Sequence, residues 1–286
     1  MKLVSCSFLM AALLLPAQTT ADPAPLPDYL RDRGTGVTTS LFGTYVREGE
    51  WLLYPFYEYV RTDGEEYHGS ELGYTGDIDY LGKAEEHEAV VFLACGLTSD
   101  LAFEFEAELY VDKTLEKASD DTTSGIPERI HESGLGEVEL QLRWRFARET
   151  ATRPEFWANF EVVPPLRREG DVLIGAADWE YAVGLGMVSG HTWGTLTPRV
   201  SVAYEAAEGQ FEAGEYAIEY LKRLSPAWRW VATLEGESSD VALVLEAQWH
   251  FGRRMYWKFN SGFGLTEKAA DFAPEIGLMM SFGNPR

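Results

Sequence analysis

Residues 137–146 read Glu-Val-Glu-Leu-Gln-Leu-Arg-Trp-Arg-Phe, a strict alternation of polar and apolar side chains. Successive side chains of a β-strand point to opposite faces, so this stretch has one charged face and one apolar face. Its length agrees with the roughly 9–11 residues that a tilted strand needs to cross a bilayer. The stretch therefore predicts a strand of a membrane-spanning β-barrel.

Alternation of this kind recurs along the chain from residue 51 onward. Counted back from the C-terminus, the predicted strands are 272–282, 255–265, 241–251, 227–236, 214–224, 194–205, 176–189, 154–163, 135–147, 101–112, 88–98 and 51–61. Short connections alternate with longer ones, including the acidic loops 62–87 and 113–134, as in outer-membrane barrels. The predicted fold is all-β: a transmembrane antiparallel up-and-down β-barrel of twelve strands, occupying 51–286.

Two of these strands show how the faces are assigned. On 101–112, we expect one face to hold Phe103, Phe105, Ala107, Leu109 and Val111, and the opposite face Glu104, Glu106, Glu108 and Asp112. The strand 88–98 is apolar on both faces. Its two faces are therefore not distinguished by the sequence.

The first residues have the pattern of a secretory signal peptide at 1–21. Lys2 supplies a positive charge, an apolar run follows, and Thr19-Thr20-Ala21 offers small residues for cleavage. The run is too short to cross a membrane as a helix. Residues 22–50 are then an N-terminal leader or plug segment, whose stretch from Thr38 either adds a strand or folds inside the barrel.

Composition narrows the class of protein and its partners. The chain has 46 Asp and Glu against 24 Lys and Arg, a net charge of −22, which argues against nonspecific nucleic-acid binding. Cys95 is the one cysteine beyond the signal, so no intramolecular disulfide is expected. We expect the outer membrane of a Gram-negative-type cell as the location, and outer-membrane lipid and small solutes as partners.

No motif for catalysis, metal binding or a cofactor is found. None of the five histidines belongs to an H-E-x-x-H pair. His250 and Ser261 stand on neighbouring strands, but the alternation assigns them to opposite faces, so they cannot form a nucleophile–base pair. We expect neither a catalytic residue, nor a metal site, nor a cofactor.

Charged side chains of both signs are predicted on the inner face of the barrel. They either line a water-filled passage or pair with one another and fill the lumen. The candidate pore-lining residues are Glu104, Glu106, Glu108, Glu137, Glu139, Arg143, Arg145, Glu161, Arg199, Glu219, Arg223, Arg229, Glu235, Glu246, Lys258 and Glu275.

Several short motifs occur in a fixed order over residues 134–282. They are Gly134-Leu135-Gly136-Glu137, Glu215-Tyr216, Tyr220-Leu221-Lys222-Arg223-Leu224-Ser225-Pro226, Glu235-Gly236-Glu237, Gly262-Phe263-Gly264-Leu265-Thr266, and then Asp271, Pro274, Gly277-Leu278 and Phe282. This part of the chain resembles the outer-membrane transporter family named for the MetA pathway of phenol degradation. The resemblance implies a barrel of about a dozen strands that admits small hydrophobic compounds. The chain departs from the common barrel ending because Gly283 to Arg286 follow the terminal aromatic residue.

The function predicted from the sequence is that of a passive channel or transporter for small molecules in the outer membrane, and the resemblance implies that these molecules are hydrophobic. Two alternatives stay open. One is an outer-membrane barrel enzyme acting on lipid, and the other is a secreted soluble β-protein that binds a partner through its loops.

Overall fold

The computed structural model describes residues 26–76, 78–123, 125–207, 209–252 and 254–283. The predicted signal peptide, 1–21, lies outside them. Among the described residues no helix has the length and apolar character needed to cross a membrane. The helical structure within these ranges is a single short 3₁₀ turn at Asp28–Leu30.

The strands follow one another along the chain with few interruptions. Within the described ranges they are β1 (Val37–Thr38), β2 (Tyr45–Val46), β3 (Glu50–Tyr67), β4 (Tyr80–Gly96), β5 (Leu101–Glu116), β6 (Arg129–Gly134), β7 (Val138–Ala147), β8 (Glu155–Val163), β9 (Glu180–His191), β10 (Gly194–Glu205), β11 (Gln210–Arg223), β12 (Trp228–Glu237), β13 (Asp240–His250), β14 (Met255–Gly264) and β15 (Ala273–Gly283).

The long strands form one closed antiparallel sheet. Within the run from β7 to β15 each strand pairs with the next one, β3 pairs with β4, β4 with β5, and β5 with both β6 and β7. The ring closes between β15 and β3, where Ile276 lies opposite Tyr57 and Phe282 opposite Trp51. β6 and β7 pair with successive parts of the same edge of β5, so they count as one strand of the wall. Counted in this way, the described strands form a twelve-stranded up-and-down barrel. This confirms the predicted fold class.

The outer wall of the barrel is apolar along its middle. The exposed side chains there include Leu142, Val183, Val202, Ile218, Leu234 and Ile276. Exposed aromatic residues border this band at both ends. Those at the end with the short connections are Trp51, Trp144, Trp193, Trp228, Trp249 and Phe282, and those toward the longer connections include Trp179, Phe211, Phe263 and Phe272.

Three strands are longer than their sequence pattern indicates. β3, β4 and β5 have 18, 17 and 16 residues, so the loops predicted at 62–87 and 113–134 shrink to 68–79 and, apart from the short strand β6, 117–128. The prediction of both loop lengths was wrong, because the predicted strands were ended where the outward-facing side chains stop being apolar. Outside a bilayer the backbone ladder continues with polar residues facing outward. A small cluster of buried apolar residues, including Tyr67, Leu115 and Ile126, packs these extensions together.

A β-bulge changes the facing of β5 past its midpoint. The register between β4 and β5 shifts at Ala89 and Val90, which leaves Leu109 without a directly opposed residue. Val111 is consequently buried and Asp112 only half-buried, the reverse of the expected facing. An inserted residue moves every later side chain to the other face, and sequence alternation alone does not show where the insertion falls.

Residues 37–46 form a small hairpin inside the barrel. Val37 pairs with Val46 and Thr38 with Tyr45, and the Thr39 N–H donates to the Thr44 carbonyl at 2.9 Å. Apolar residues of the hairpin and of the inner barrel wall share one buried cluster, which includes Val37, Leu41, Phe42, Val46, Phe92, Leu221, Val231 and Val244. The apolar inner face of β4 is explained by this packing, because Val90, Phe92 and Ala94 belong to the same cluster.

The turn of this hairpin depends on Gly43. Its φ is 62°, a left-handed conformation that residues other than glycine adopt with strain, and an added Cβ would overlap the Leu221 side chain. The hairpin thus fits the wall without any spare space at its tip.

We expect Gly43→Ala to displace the hairpin and to reduce amide protection from hydrogen exchange across residues 37–46. Gly73→Ala is the matched control, because Gly73 also has a positive φ of 81° but no atom lies within 4 Å of an added Cβ. Exchange measured by mass spectrometry should show the loss in the hairpin for the first variant only. Equal protection in both variants would contradict the packing described here.

Candidate functional site

One part of the barrel interior is filled by paired charges. The Lys258 ammonium lies 2.9 Å from Glu275 Oε1 and 3.6 Å from Glu246 Oε2, and all three side chains are fully buried. Asn260 Nδ2 and the Tyr54 hydroxyl also donate to Glu275. Since a buried charge is tolerated only when it is paired and hydrogen-bonded, this cluster closes the interior between β3 and β13–β15.

A second cluster of charges fixes the N-terminal segment to the barrel. Arg33 donates to Glu155 Oε2 and to Glu149 Oε2, both at 2.7 Å. Arg145 also donates to Glu155 Oε2, at 3.2 Å, and to the Gly36 carbonyl. Glu155 is completely buried, so its carboxylate depends on these two guanidinium groups.

The short connection beside this cluster is also held by charge. Arg148 donates to both carboxylate oxygens of Asp100, and Arg145 Nε donates to Asp100 Oδ1 at 2.9 Å. The hydrogen bonds from Arg148, followed by those from Arg145 and Ser99, lower the pKa of Asp100 to about 2. The β4–β5 and β7–β8 connections are therefore linked at neutral pH.

The tip of the hairpin contacts the wall on opposite sides of the barrel. The Ser40 N–H and hydroxyl both donate to Glu104 Oε2, at 3.1 and 2.7 Å. Gln248 Nε2 donates to the Phe42 carbonyl at 3.3 Å. The Phe42 ring lies between Arg199 and Lys258, whose charged ends are each 5.6 Å from the ring centroid. The tip thus crosses the interior from β5 to β14.

Beside the hairpin, the interior contains an open cavity, which we call the vestibule. It is bounded by β7–β12 and has a cavity volume of about 130 Å³. Ser40, Arg143 and Trp157 line its inner end, and Glu205 and Glu237 line its outer end, where β10 and β12 end. Within the described residues eight glutamates line the vestibule, namely Glu137, Glu139, Glu161, Glu180, Glu205, Glu212, Glu215 and Glu237, against two arginines, Arg143 and Arg199.

The inner end of the vestibule is built around the Trp157 indole. Trp157 stands opposite Gly186, where an added Cβ would overlap the indole ring. The Arg143 guanidinium stacks on the indole with its carbon 4.1 Å from the ring centroid. Arg143 also lies 3.3 Å from Glu104, the residue that holds Ser40. The vestibule floor is therefore connected directly to the hairpin tip.

The structure places the sixteen predicted interior residues unevenly. Those fully or largely buried are Glu104, Glu106, Glu108, Arg143, Arg145, Glu219, Glu235, Glu246, Lys258 and Glu275, and those half-buried are Glu137, Glu139, Glu161, Arg199 and Arg229. Glu137, Glu139, Glu161, Arg143 and Arg199 line the vestibule together. Arg223 is exposed, because it is the last residue of β11 and its guanidinium turns to the Ser225 carbonyl in the following turn.

The structure separates the one pair considered for catalysis. Ser261 lies opposite Leu245, whereas His250 lies opposite Tyr256 and stacks on its ring at 4.3 Å between centroids. Across the described ranges, no three His, Cys, Asp or Glu side chains converge in a way that holds a metal ion.

Several residues of the site escape prediction from the sequence. Trp157 has the appearance of an interfacial aromatic residue, and Ser40 and Arg33 lie in a segment without a regular pattern. The one usable signal is the pair Gly184 and Gly186 on β9, since glycine within a strand often marks the close approach of another group. Asn159 and Trp157 occupy the space that these glycines leave.

Comparison with known proteins finds similarity at the level of the fold. No protein-family model matches the chain, and no curated protein sequence matches it. The COG4313 outer membrane channel from Pseudomonas putida F1 superposes with a TM-score of 0.60 at 13% identity, covering 86% of this chain and 99% of the channel. The KdgM porin, solved in complex with disordered oligogalacturonate, superposes with a TM-score of 0.50 at 8% identity, covering 80% and 99%. These similarities show the β-barrel fold and leave the MetA-pathway resemblance unconfirmed.

We expect Arg33→Ala to destabilise the folded protein by about 3–5 kcal/mol, because it leaves the buried Glu155 carboxylate with one partner fewer. Arg31→Ala is the matched control: Arg31 pairs with Asp28 in a largely exposed position, with 56% of its side chain accessible. Urea unfolding in detergent or lipid vesicles measures the difference in the free energy of unfolding. A loss of the same size in both variants would show that the buried pair does not anchor the segment.

Proposed function

We propose that this protein is a passive channel of the outer membrane that admits small solutes. The observation that carries the proposal is the vestibule, an open cavity with charged walls inside a barrel whose outer wall is apolar. An inverted arrangement of this kind, apolar outside and polar inside, is expected of a barrel that stands in lipid. The fold that it shares with outer-membrane channels supports the same conclusion.

The apolar outer band and its two aromatic borders support a position within a bilayer. Aromatic side chains are enriched at both membrane interfaces of such barrels. A soluble protein rarely exposes an apolar surface of this extent. Neither the secreted soluble alternative nor the lipid-hydrolysing alternative is supported, the latter because Ser261 and His250 do not meet.

The N-terminal hairpin acts as a plug in this proposal. Its tip contacts β5, β10, β13 and β14 and lies between the vestibule and the end with the short connections. Solutes that enter the vestibule therefore pass only when the hairpin moves or leaves a narrow path beside it. We therefore propose that residues 26–50, the described part of the predicted segment 22–50, plug the barrel rather than add a wall strand.

We propose that the chain is related to the MetA-pathway transporters, but we do not extend to it the hydrophobic cargo that this resemblance implies. The relationship is supported by the motif order over 134–282 and by the barrel fold. The vestibule, however, is lined chiefly by carboxylates, and such walls favour polar or cationic solutes over apolar ones. The chain's own interior thus argues for a polar cargo.

Deleting residues 26–49 should raise the single-channel conductance in planar bilayers, because the deletion removes the tip that crosses the interior. Phe42→Ala is the milder companion variant, and it should raise the conductance less while retaining the fold. A change of gel mobility on boiling verifies that each variant is folded. Equal conductance in the parent protein and both variants would rule out the plug, and absence of conductance in all three would rule out the channel.

Leu142→Arg should destabilise the membrane-inserted barrel by about 2–4 kcal/mol, as expected for a cation placed on the lipid face at the bilayer midplane. Leu265→Arg is the matched control, because Leu265 is also exposed but lies just beyond β14, where the cost is about 0–1 kcal/mol. Reversible unfolding from phospholipid vesicles measures both values. Equal costs at the two positions would contradict a transmembrane position for the band.

A further inference from the structure

The vestibule walls carry a strong excess of negative charge. The eight glutamates are spread over β7–β12, and only Arg143 and Arg199 balance them within the described lining. In a concave site with low-dielectric walls, charges of one sign raise the local concentration of counter-ions. The walls therefore attract a cation, and their spread suits a mobile organic cation better than a single fixed ion.

The floor of the vestibule presents the opposite chemistry. Trp157 is only 2% exposed, and its indole Nε1 donates to no acceptor within the described part of the chain. Arg143 is equally buried, and its Nη1 likewise has no hydrogen-bond partner there. Nearly all buried hydrogen-bond donors in proteins have an acceptor, and leaving one donor without an acceptor costs about 1–3 kcal/mol of stability. These two donors point to an acceptor that is supplied from outside the chain.

The floor is also fixed in position. The indole is held between Gly186 beneath it and the Arg143 guanidinium stacked on it. Gln141 Oε1 accepts from Arg143 Nη2, and Glu104 Oε1 lies 3.3 Å from Arg143 Nε, so the guanidinium is oriented while its Nη1 and Nε form no hydrogen bond within the described residues. The stacked indole and guanidinium are thus fixed in position, and each has an N–H without an acceptor in the described part of the chain.

We propose that the vestibule binds small organic cations that also carry an oxygen acceptor, such as amino alcohols and amino acids. The ammonium group lies against the carboxylates of Glu139 and Glu161, and the oxygen accepts from Trp157 Nε1 and Arg143 Nη1. This inference rests on the proposed channel function and names the class of solute that the channel selects.

The test is calorimetric titration of the full chain in detergent with four small probes. Alaninol carries an amine and a hydroxyl, alanine an amine and a carboxylate, isopropylamine an amine alone, and propionate a carboxylate alone. We expect alaninol and alanine to bind about 30-fold more tightly than isopropylamine, as two additional hydrogen bonds of about 1 kcal/mol each predict, and propionate to bind weakest. The order of alaninol and alanine distinguishes a neutral from an anionic acceptor.

Two variants separate the floor from the walls. Trp157→Phe removes the indole donor but keeps a ring beneath Arg143, so it should weaken alaninol and alanine about fivefold and leave isopropylamine unchanged. Trp179→Phe is its control, because Trp179 is exposed on the outer wall. Glu139→Gln combined with Glu161→Gln should weaken all three amines about tenfold, whereas Glu169→Gln in an exposed loop should weaken none.

The outcomes are distinct for this inference and for the channel. Equal binding of alaninol and isopropylamine, tighter binding of propionate than of any amine, or no binding of any probe would each overturn the proposed site. Conductance in planar bilayers without amine binding would refute the site and keep the channel. Amine binding without conductance, even after deletion of residues 26–49, would refute the channel.

Discussion

The requirement that every backbone N–H and C=O inside a bilayer be hydrogen-bonded governs this structure. Pairing between β15 and β3 satisfies it, because this contact leaves neither the first nor the last strand of the wall with a free edge. Closure then fixes the facing of every strand. One face of each strand meets the surroundings of the barrel, and the other meets its interior.

The interior solves the resulting problem of buried charge in two ways. Around Lys258 and Glu275, opposite charges meet and fill the space between strands. Around Glu155, the charges bind a separate segment of the chain, which brings apolar residues such as Phe42 into the lumen. The remaining part, between β7 and β12, contains mostly carboxylates and is neither filled nor balanced. The binding site that we propose rests on this imbalance.

The barrel was predictable because period-two alternation survives wherever one face is apolar and the other polar. The wall strands β7 and β13 show this directly. Alternation fails at the bulge near Leu109, where one extra residue reverses the facing of Val111 and Asp112 without any change in composition. It fails again beyond Thr62, where the outward side chains are polar although the ladder continues to Tyr67. Alternation cannot predict the hairpin at all, because strands of two residues are too short to show a period-two pattern. The vestibule floor is formed by Arg143 of β7 and Trp157 of β8, and the indole fits because Gly186 of β9 has no side chain. Such a contact between three strands leaves no pattern within any one of them.

The closing pair joins residues at opposite ends of the chain, with Trp51 meeting Phe282 across more than two hundred positions. Contacts of such sequence separation form late and slowly during folding, because a long loop must be ordered before they are made. The hairpin just ahead of β3 contacts both early and late strands, from β5 to β14. The N-terminal hairpin and β3 must therefore stay available for pairing until β15 has been synthesised and folded. A polypeptide that ends before β15 would leave the edges of β3 and β14 unpaired and the apolar hairpin exposed, and both features promote aggregation.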